Sequence, residues 1–168
     1  MNYANIKTCD IANGPGVRTS LFVSGCTHRC KNCFNAEAWS FDAGQPFTDA
    51  VQERILTECA PEYITGLSLL GGEPMEPANQ RALVPFLRRF RARYGATKTL
   101  WVYTGCVLDT ASFRLSPPSF NTEVTREFLA QTDVLVDGPF IEAQKDISLR
   151  FRGSANQRIL DLRRLSHA

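Results

Sequence analysis

Cys26, Cys30 and Cys33 fall within eight positions, in the run Cys26-Thr27-His28-Arg29-Cys30-Lys31-Asn32-Cys33. Cysteines at this spacing point first to metal ligation, because one short loop can turn all three sulfurs toward a single centre. A structural zinc ion is usually closed by four ligands, and His28, between the first two cysteines, is a candidate fourth. A cubane iron–sulfur cluster held by three cysteines keeps one iron open, and an open iron can bind something that reacts. Cys9, Cys59 and Cys106 lie far from this group and from one another. That scatter argues against a disulfide framework and for a reducing compartment, where clustered cysteines are metal ligands. Cys9 and Cys59 read as small buried residues.

The elements that must position these thiols can be read from the flanks. Val17 to Val23 is rich in β-branched and apolar residues and predicts a strand, which Leu21-Phe22-Val23-Ser24-Gly25 carries straight into Cys26. Asn13-Gly14-Pro15-Gly16 ahead of it is a turn by its chemistry. Thr48 to Cys59 has helical periodicity, with Thr48 as a cap. Leu67 to Leu70 reads as a buried strand stopped by Gly71-Gly72. Glu76 to Tyr94 predicts a long helix with Pro77 in its first turn. Pro85 inside the pattern predicts a kink or a second start. Thr99 to Thr104 and Val134 to Val136 read as further strands, with a helix over Glu123 to Gln131 between them. Ile159 to Leu162 fits either a strand or a helix start.

Strands alternating with helices imply right-handed βαβ units and a largely parallel sheet. We expect a single α/β domain over residues 1–168, built as a partial, open (β/α) barrel of about four to six mainly parallel strands. The cysteines, Gly71-Gly72-Glu73, Thr104-Gly105 and Asp137-Gly138 each follow the C-terminal end of a strand. In parallel α/β folds ligands bind at that edge. Gly71-Gly72-Glu73 is either a plain turn that uses glycine's backbone freedom or a place where a ligand approaches the backbone closely.

Composition narrows the class. The 168 residues are 43% hydrophobic and 21% charged, ordinary for a globular protein. Met1 to Asn13 holds no signal-like apolar run and no stretch nears membrane-span length, so the expectation is a cytoplasmic protein with no membrane partner. Net charge is +2, unevenly spread. Residues 1–84 carry 6 Lys/Arg against 9 Asp/Glu, and residues 85–168 carry 13 against 8. A basic half can steer an acidic partner, but Arg88, Arg89, Arg91 and Arg93 also fit the solvated face of one helix. The basic run lacks interleaved aromatics, which argues against nucleic acid. Trp39 and Trp101 read as core.

Cys26, Cys30 and Cys33, with three and then two residues between them, resemble the signature of the radical S-adenosylmethionine (SAM) superfamily. A longer match is more specific. Asp10-Ile11, Asn13-Gly14-Pro15-Gly16-Val17-Arg18, Leu21 through Cys26 and Cys33-Phe34-Asn35 resemble the activating proteins of anaerobic ribonucleoside-triphosphate reductases. So do Leu70-Gly71-Gly72-Glu73-Pro74, Trp101-Val102-Tyr103-Thr104-Gly105, Val134 to Gly138 and Arg152 to Gln157, in order. The chain departs from the family at two positions: Glu73 stands where Asp is frequent, and Cys106 where Tyr is frequent, leaving an extra thiol near the site. The superfamily often has an aromatic just before the third cysteine. Here that position is Asn32 and the aromatic is Phe34, just after, as in the reductase-activating family.

The resemblance implies a radical SAM fold and one [4Fe-4S] cluster on Cys26, Cys30 and Cys33. It also implies SAM contacts from Asn32, Cys33, Phe34, Gly71, Gly72 and Glu73, with Gly71-Gly72-Glu73 meeting the SAM ammonium. His28 is then a bystander in the loop. An electron entering the sulfonium would release a 5′-deoxyadenosyl radical able to abstract hydrogen. Cluster potentials span about −700 to +450 mV, and reducing a sulfonium needs the low end, so an external donor such as flavodoxin is implied. The implied function is that of an oxidoreductase resembling the activase of formate C-acetyltransferase, here installing a glycyl radical on the large subunit of the reductase. No arginine–valine–x–glycine–tyrosine loop occurs in this chain, so the target glycine is expected on that partner. Asn13 to Arg18 would shape the pocket or dock the partner. Arg150, Arg152 and Asn156 are candidate contacts for SAM or the partner. The alternatives are another radical SAM enzyme, whether an activase of a different glycyl-radical enzyme or one acting on a small molecule, and a non-catalytic zinc or iron–sulfur interaction module.

Overall fold

The computed structural model describes residues 1–165. In chain order the elements are β1 (Asn2–Asp10), β2 (Val17–Val23), β3 (Gln45–Pro46), α1 (Asp49–Glu58), β4 (Ile64–Gly71), α2 (Pro77–Tyr94), β5 (Thr99–Tyr103), β6 (Val107–Asp109), β7 (Arg114–Ser116), α3 (Thr125–Gln131), β8 (Val134–Asp137), β9 (Arg158–Asp161) and α4 (Leu162–Leu165). Seven strands form one sheet in the order β3-β1-β2-β4-β5-β8-β9, and β6 and β7 form a separate hairpin.

The centre of the sheet is the expected parallel one: β2 pairs with β4, β4 with β5 and β5 with β8, all parallel. The edges correct the expectation of four to six mainly parallel strands. The sheet has seven strands and is mixed, because β1, β3 and β9 add antiparallel. These edge strands are short or half-exposed, so they lack the continuous apolar run that marks a strand buried on both faces.

Alternation along the strands separates two faces. Leu21 and Val23 of β2, Leu67 and Leu69 of β4, Leu100 and Val102 of β5 and Leu135 of β8 point toward the helices. There they form the main core with Ile55 and Leu56 of α1, Leu83, Phe86, Leu87 and Phe90 of α2, and Phe128 and Leu129 of α3. Thr48 caps α1 by accepting from Val51 N at 3.4 Å. The expected kink or break at Pro85 is not found, and α2 runs unbroken from Pro77 to Tyr94. An interior proline costs about 3 kcal/mol. Each large apolar side chain that α2 buries returns about 1.5–3 kcal/mol, and five of them, Leu83, Val84, Phe86, Leu87 and Phe90, outweigh that cost. Three members of the arginine run lie on the outer face of the same helix, Arg88 paired with Glu127 and Arg89 and Arg93 both with Glu53, whereas Arg91 is half-buried and bonds Asp133 and the backbone of Gln131 and Lys98.

The second face carries Arg18, Ser20 and Phe22, then Ser68 and Leu70, then Trp101 and Tyr103. Arg18 is fully buried there. Its guanidinium donates to Ser68 Oγ (2.7 Å), Thr99 Oγ1 (3.0 Å), Leu67 O (2.8 Å) and Thr99 O (2.8 Å). Ser68 Oγ in turn donates to Asn13 O at 2.6 Å. The Asn13-to-Arg18 motif thus pins its own turn across this face. Trp101, 7% exposed, packs with Val134, Val136 and Phe151.

Candidate functional site

The C-terminal ends of the parallel strands open on a cavity of about 550 Å3. Three of its walls were expected: the cysteine loop (Cys26, Cys30, Cys33), the β4 end (Gly71, Gly72, Glu73) and the β5 end (Thr104, Gly105), with Gly138 from the β8 end beside them. Backbone hydrogen bonds stitch the first two walls together. Gly72 N donates to Val23 O at 2.7 Å and Glu73 N to Gly25 O at 2.8 Å. This close approach explains the glycine pair. Gly71 sits at φ +104, and a Cβ on Gly72 would lie 2.6 Å from Gly25 O and 2.9 Å from Ala38 O.

The loop itself is tied down at its start. Thr27 donates to Glu76 Oε1 through both its backbone N (2.7 Å) and its hydroxyl (2.6 Å). Arg29 and Asn32 take left-handed backbone conformations, at φ +48 and +56, which turn the chain twice between the cysteines. All three cysteines are free. Burial, followed by the Glu73 carboxylate, pushes the Cys26 thiol up to about 12. Burial also pushes Cys30 up. Neither ionises readily on its own, so metal binding must displace their protons.

The donor set fits a cluster. Three free thiols line one wall, none is bound to another sulfur, and they are no part of the compact ligand trio found among the described residues. That trio is His28, Glu73 and Cys106, whose ligand atoms all lie within 4.8 Å of one another. A single tetrahedral ion gathers its ligands tightly at about 2.0–2.3 Å each, whereas a cubane spreads its thiolates over separate irons.

The structure treats the remaining expected residues unevenly. Phe34 lines the cavity mouth at 76% exposure, edge-on to Phe140 with Lys145 over its ring. Asn32 was expected to contact SAM. It is exposed and outside the cavity lining, and its amide donates to Glu142. Glu73 is 1% exposed and fully engaged: Oε1 accepts from Met75 N (2.8 Å), and Oε2 accepts from Gly105 N (2.8 Å) and His28 Nε2 (2.9 Å). Arg152 lines the cavity and donates to Gln157 O, whereas Arg150 and Asn156 are not in the lining. Cys106 is fully buried, 3.7 Å from His28 Nε2, and does not reach the cavity. Cys59 is buried as expected, but Cys9 is exposed on β1.

Two residues were missed or misjudged. His28 is no bystander. Its ring stacks on Phe120 (4.8 Å, 5° between planes) and bonds Glu73, whose hydrogen bond raises its pKa. Tyr103 lines the cavity with a buried hydroxyl that has no partner, and burial pushes its pKa up. The signal for Tyr103 was its place at a strand end, one residue before Thr104.

Three free cysteines and a glycine–glycine–acid turn gathered at the parallel strand ends of a mixed α/β sheet are the arrangement that an iron–sulfur protein would need. Residues 12–160 match the family described as a 4Fe-4S single cluster domain. The chain is 43% identical to the anaerobic ribonucleoside-triphosphate reductase-activating protein of Haemophilus influenzae, over 94% of this chain and 96% of that one. It is 39% identical to the protein of the same name from Escherichia coli K12, over 97% and 100%, and 35% identical to that of Enterobacteria phage T4, over 95% and 93%. The chain belongs to this family of reductase-activating proteins.

Proposed function

We propose that the protein is a radical SAM activase that installs a glycyl radical on the large subunit of an anaerobic ribonucleotide reductase. One observation carries the reading: the three free cysteines and the Gly71-Gly72-Glu73 turn, far apart in sequence from the β5 end, share the walls of one cavity. Cys26, Cys30 and Cys33 would hold a [4Fe-4S] cluster, and when bound it would supply one electron to the sulfonium of SAM, leaving one iron for the methionine end of SAM. Gly71 and Gly72 let SAM approach the β4 backbone. Glu73 places a carboxylate behind them, Phe34 flanks the mouth, and Tyr103 forms part of the wall with a hydroxyl that is buried and unpaired. We read the four parallel strands as a cut-down radical SAM barrel. No helix among the described residues is long and apolar enough to cross a membrane. The setting we propose is cytoplasmic, with a one-electron donor of the flavodoxin kind.

The test is anaerobic reconstitution with iron and sulfide, reduction, and addition of SAM. The expected product is 5′-deoxyadenosine, lost when any one of Cys26, Cys30 or Cys33 is changed to Ala. With the reductase added, an electron spin resonance doublet of a glycyl radical should appear. SAM cleavage without that doublet favours a different substrate. Absence of both, with one tightly bound zinc per chain, favours the interaction module, for which the compact His28, Glu73 and Cys106 trio is the supporting feature.

A further inference from the structure

His28 lies between two proposed cluster ligands, and its ring is held through Nε2 and through one face. Nε2 is 2.9 Å from Glu73 Oε2 and the ring is parallel to Phe120 at 4.8 Å. Both Glu73 oxygens already accept from backbone N–H groups, Oε1 from Met75 and Oε2 from Gly105, so Nε2 is assigned as the donor of this contact. The β5 end is shaped to receive the ring: a Cβ on Gly105 would sit 2.7 Å from a His28 ring carbon. The same Glu73 oxygen accepts from Gly105 N at 2.8 Å. One carboxylate therefore clamps the cysteine loop, through His28, to the β5 end, through Gly105, while its other oxygen holds Met75 N on the way into α2.

We infer that His28 is a positioning residue rather than a metal ligand. It acts through Glu73 to fix the Cys26–Cys30 turn against the β4 and β5 ends. This deepens the proposed function and rests on it. Its consequence reaches Glu73 as well. With three donors from the chain on a carboxylate 1% exposed, Glu73 works as a strut of the SAM site, holding the Gly71-Gly72 backbone at its set distance from the cluster loop. Groups bonded to a metal ligand typically cost about 10–100-fold in metal affinity or activity when lost; His28 stands one step further out, which sets the lower end of that range as the expectation. Cys106 is fully buried with its sulfur 3.7 Å from the same Nε2, and it does not line the cavity.

The test compares wild type, His28→Ala and His28→Gln after anaerobic reconstitution. Gln can still donate to Glu73 but cannot stack on Phe120 as an imidazole does. Iron per chain should match wild type in both variants, since the three thiolates remain. Pulsed electron spin resonance of the reduced wild-type cluster should show no strongly coupled imidazole nitrogen. The change that SAM induces in the cluster spectrum should need about tenfold more SAM in His28→Ala, with the KM for SAM rising in step and kcat changing less. His28→Gln should recover part of the loss. A coupled imidazole nitrogen, or iron loss specific to His28→Ala, would make His28 a ligand and overturn the inference. An unchanged SAM titration in His28→Ala would overturn it too. A wild type that binds iron but never responds to SAM would instead sink the proposed function.

Discussion

Replacing Arg18 with Met asks whether the turn that walls the cavity is held by the buried guanidinium. Met fills similar space but offers no donor. The change strips four hydrogen bonds of 2.7–3.0 Å from Ser68, Thr99 and Leu67, two of them on backbone carbonyls. A buried acceptor left without a partner costs about 1–3 kcal/mol, so the two carbonyls alone give about 2–6 kcal/mol. Removing the charge offsets part of this, because burying a guanidinium is itself unfavourable. Burial pulls the Arg18 pKa down to about 10, still far enough above neutral to keep it charged. The expected net loss is about 2–5 kcal/mol, or a fall in Tm of about 4–20 °C for a chain of this size. The assay is thermal and urea unfolding of the iron-free protein under reducing conditions, with hydrogen exchange read at residues 13–16. Arg18→Lys should lie between, since it keeps the charge but loses the fork. Arg81→Met, on an exposed pair with Glu123, should stay within about 0.5 kcal/mol. If Arg18→Met melts within about 1 °C of wild type, or leaves exchange at 13–16 unchanged, the guanidinium does not hold the cavity wall.

Three further outcomes follow from the same reading. Arg158→Met should cost about 1–3 kcal/mol in urea unfolding, because fully buried Asp137 keeps only Leu108 N and loses two bonds from half-exposed Arg158; Asp137→Asn in the same chain should recover part of it. Gly72→Ala should reduce iron uptake on reconstitution, since its Cβ would press on Gly25 O and Ala38 O and move the cysteine loop off β4; uptake equal to wild type would refute the close approach. Burial pushes Asp10 up, but hydrogen bonds from Ser20, Ala12 N and Asn13 outweigh it and leave its pKa lowered. Its stabilising effect is therefore present above the ordinary carboxylate value and lost as pH falls through the depressed folded value. Asp10→Asn should flatten that part of a urea-midpoint curve against pH, and a curve of unchanged slope there would count against it.

The parallel centre was legible because β2, β4, β5 and β8 are buried on both faces and read as apolar runs bounded by glycine, proline or charge. β1 was not, since Asn5, Lys7, Thr8 and Cys9 are exposed and Asn2–Asp10 offers little alternation. β6 and β7 are three residues each, too short for any period to register. At the site, the cysteines and Gly71-Gly72-Glu73 were legible because their chemistry resides in residue type and spacing. The role of His28 was not, because Glu73, Gly105, Cys106 and Phe120 meet it only after three strands have aligned. The direction of the Asn32 side chain was not legible for a related reason: adjacency to a ligand in sequence does not set it, and a left-handed backbone at φ +56 turns it outward toward Glu142.

Parallel sheets are normally covered by helices on both faces, and in this chain α1, α2 and α3 all contribute to the core on one. The other face is covered by loops alone: the Asn13 turn bolted by Arg18, and the stretch around Phe151 packed on Trp101. A buried arginine and serines replace the apolar layer that a helix would have met, so the face cannot close on itself as a dry core. What remains is a cavity whose rim includes Phe34 at 76% exposure, with Ile147 at 94% on the stretch between Phe140 and Phe151 that also lines it. Single exposed apolar residues are ordinary on a protein surface, so the case for a protein substrate rests on the glycyl-radical test with the reductase and not on Phe34 or Ile147.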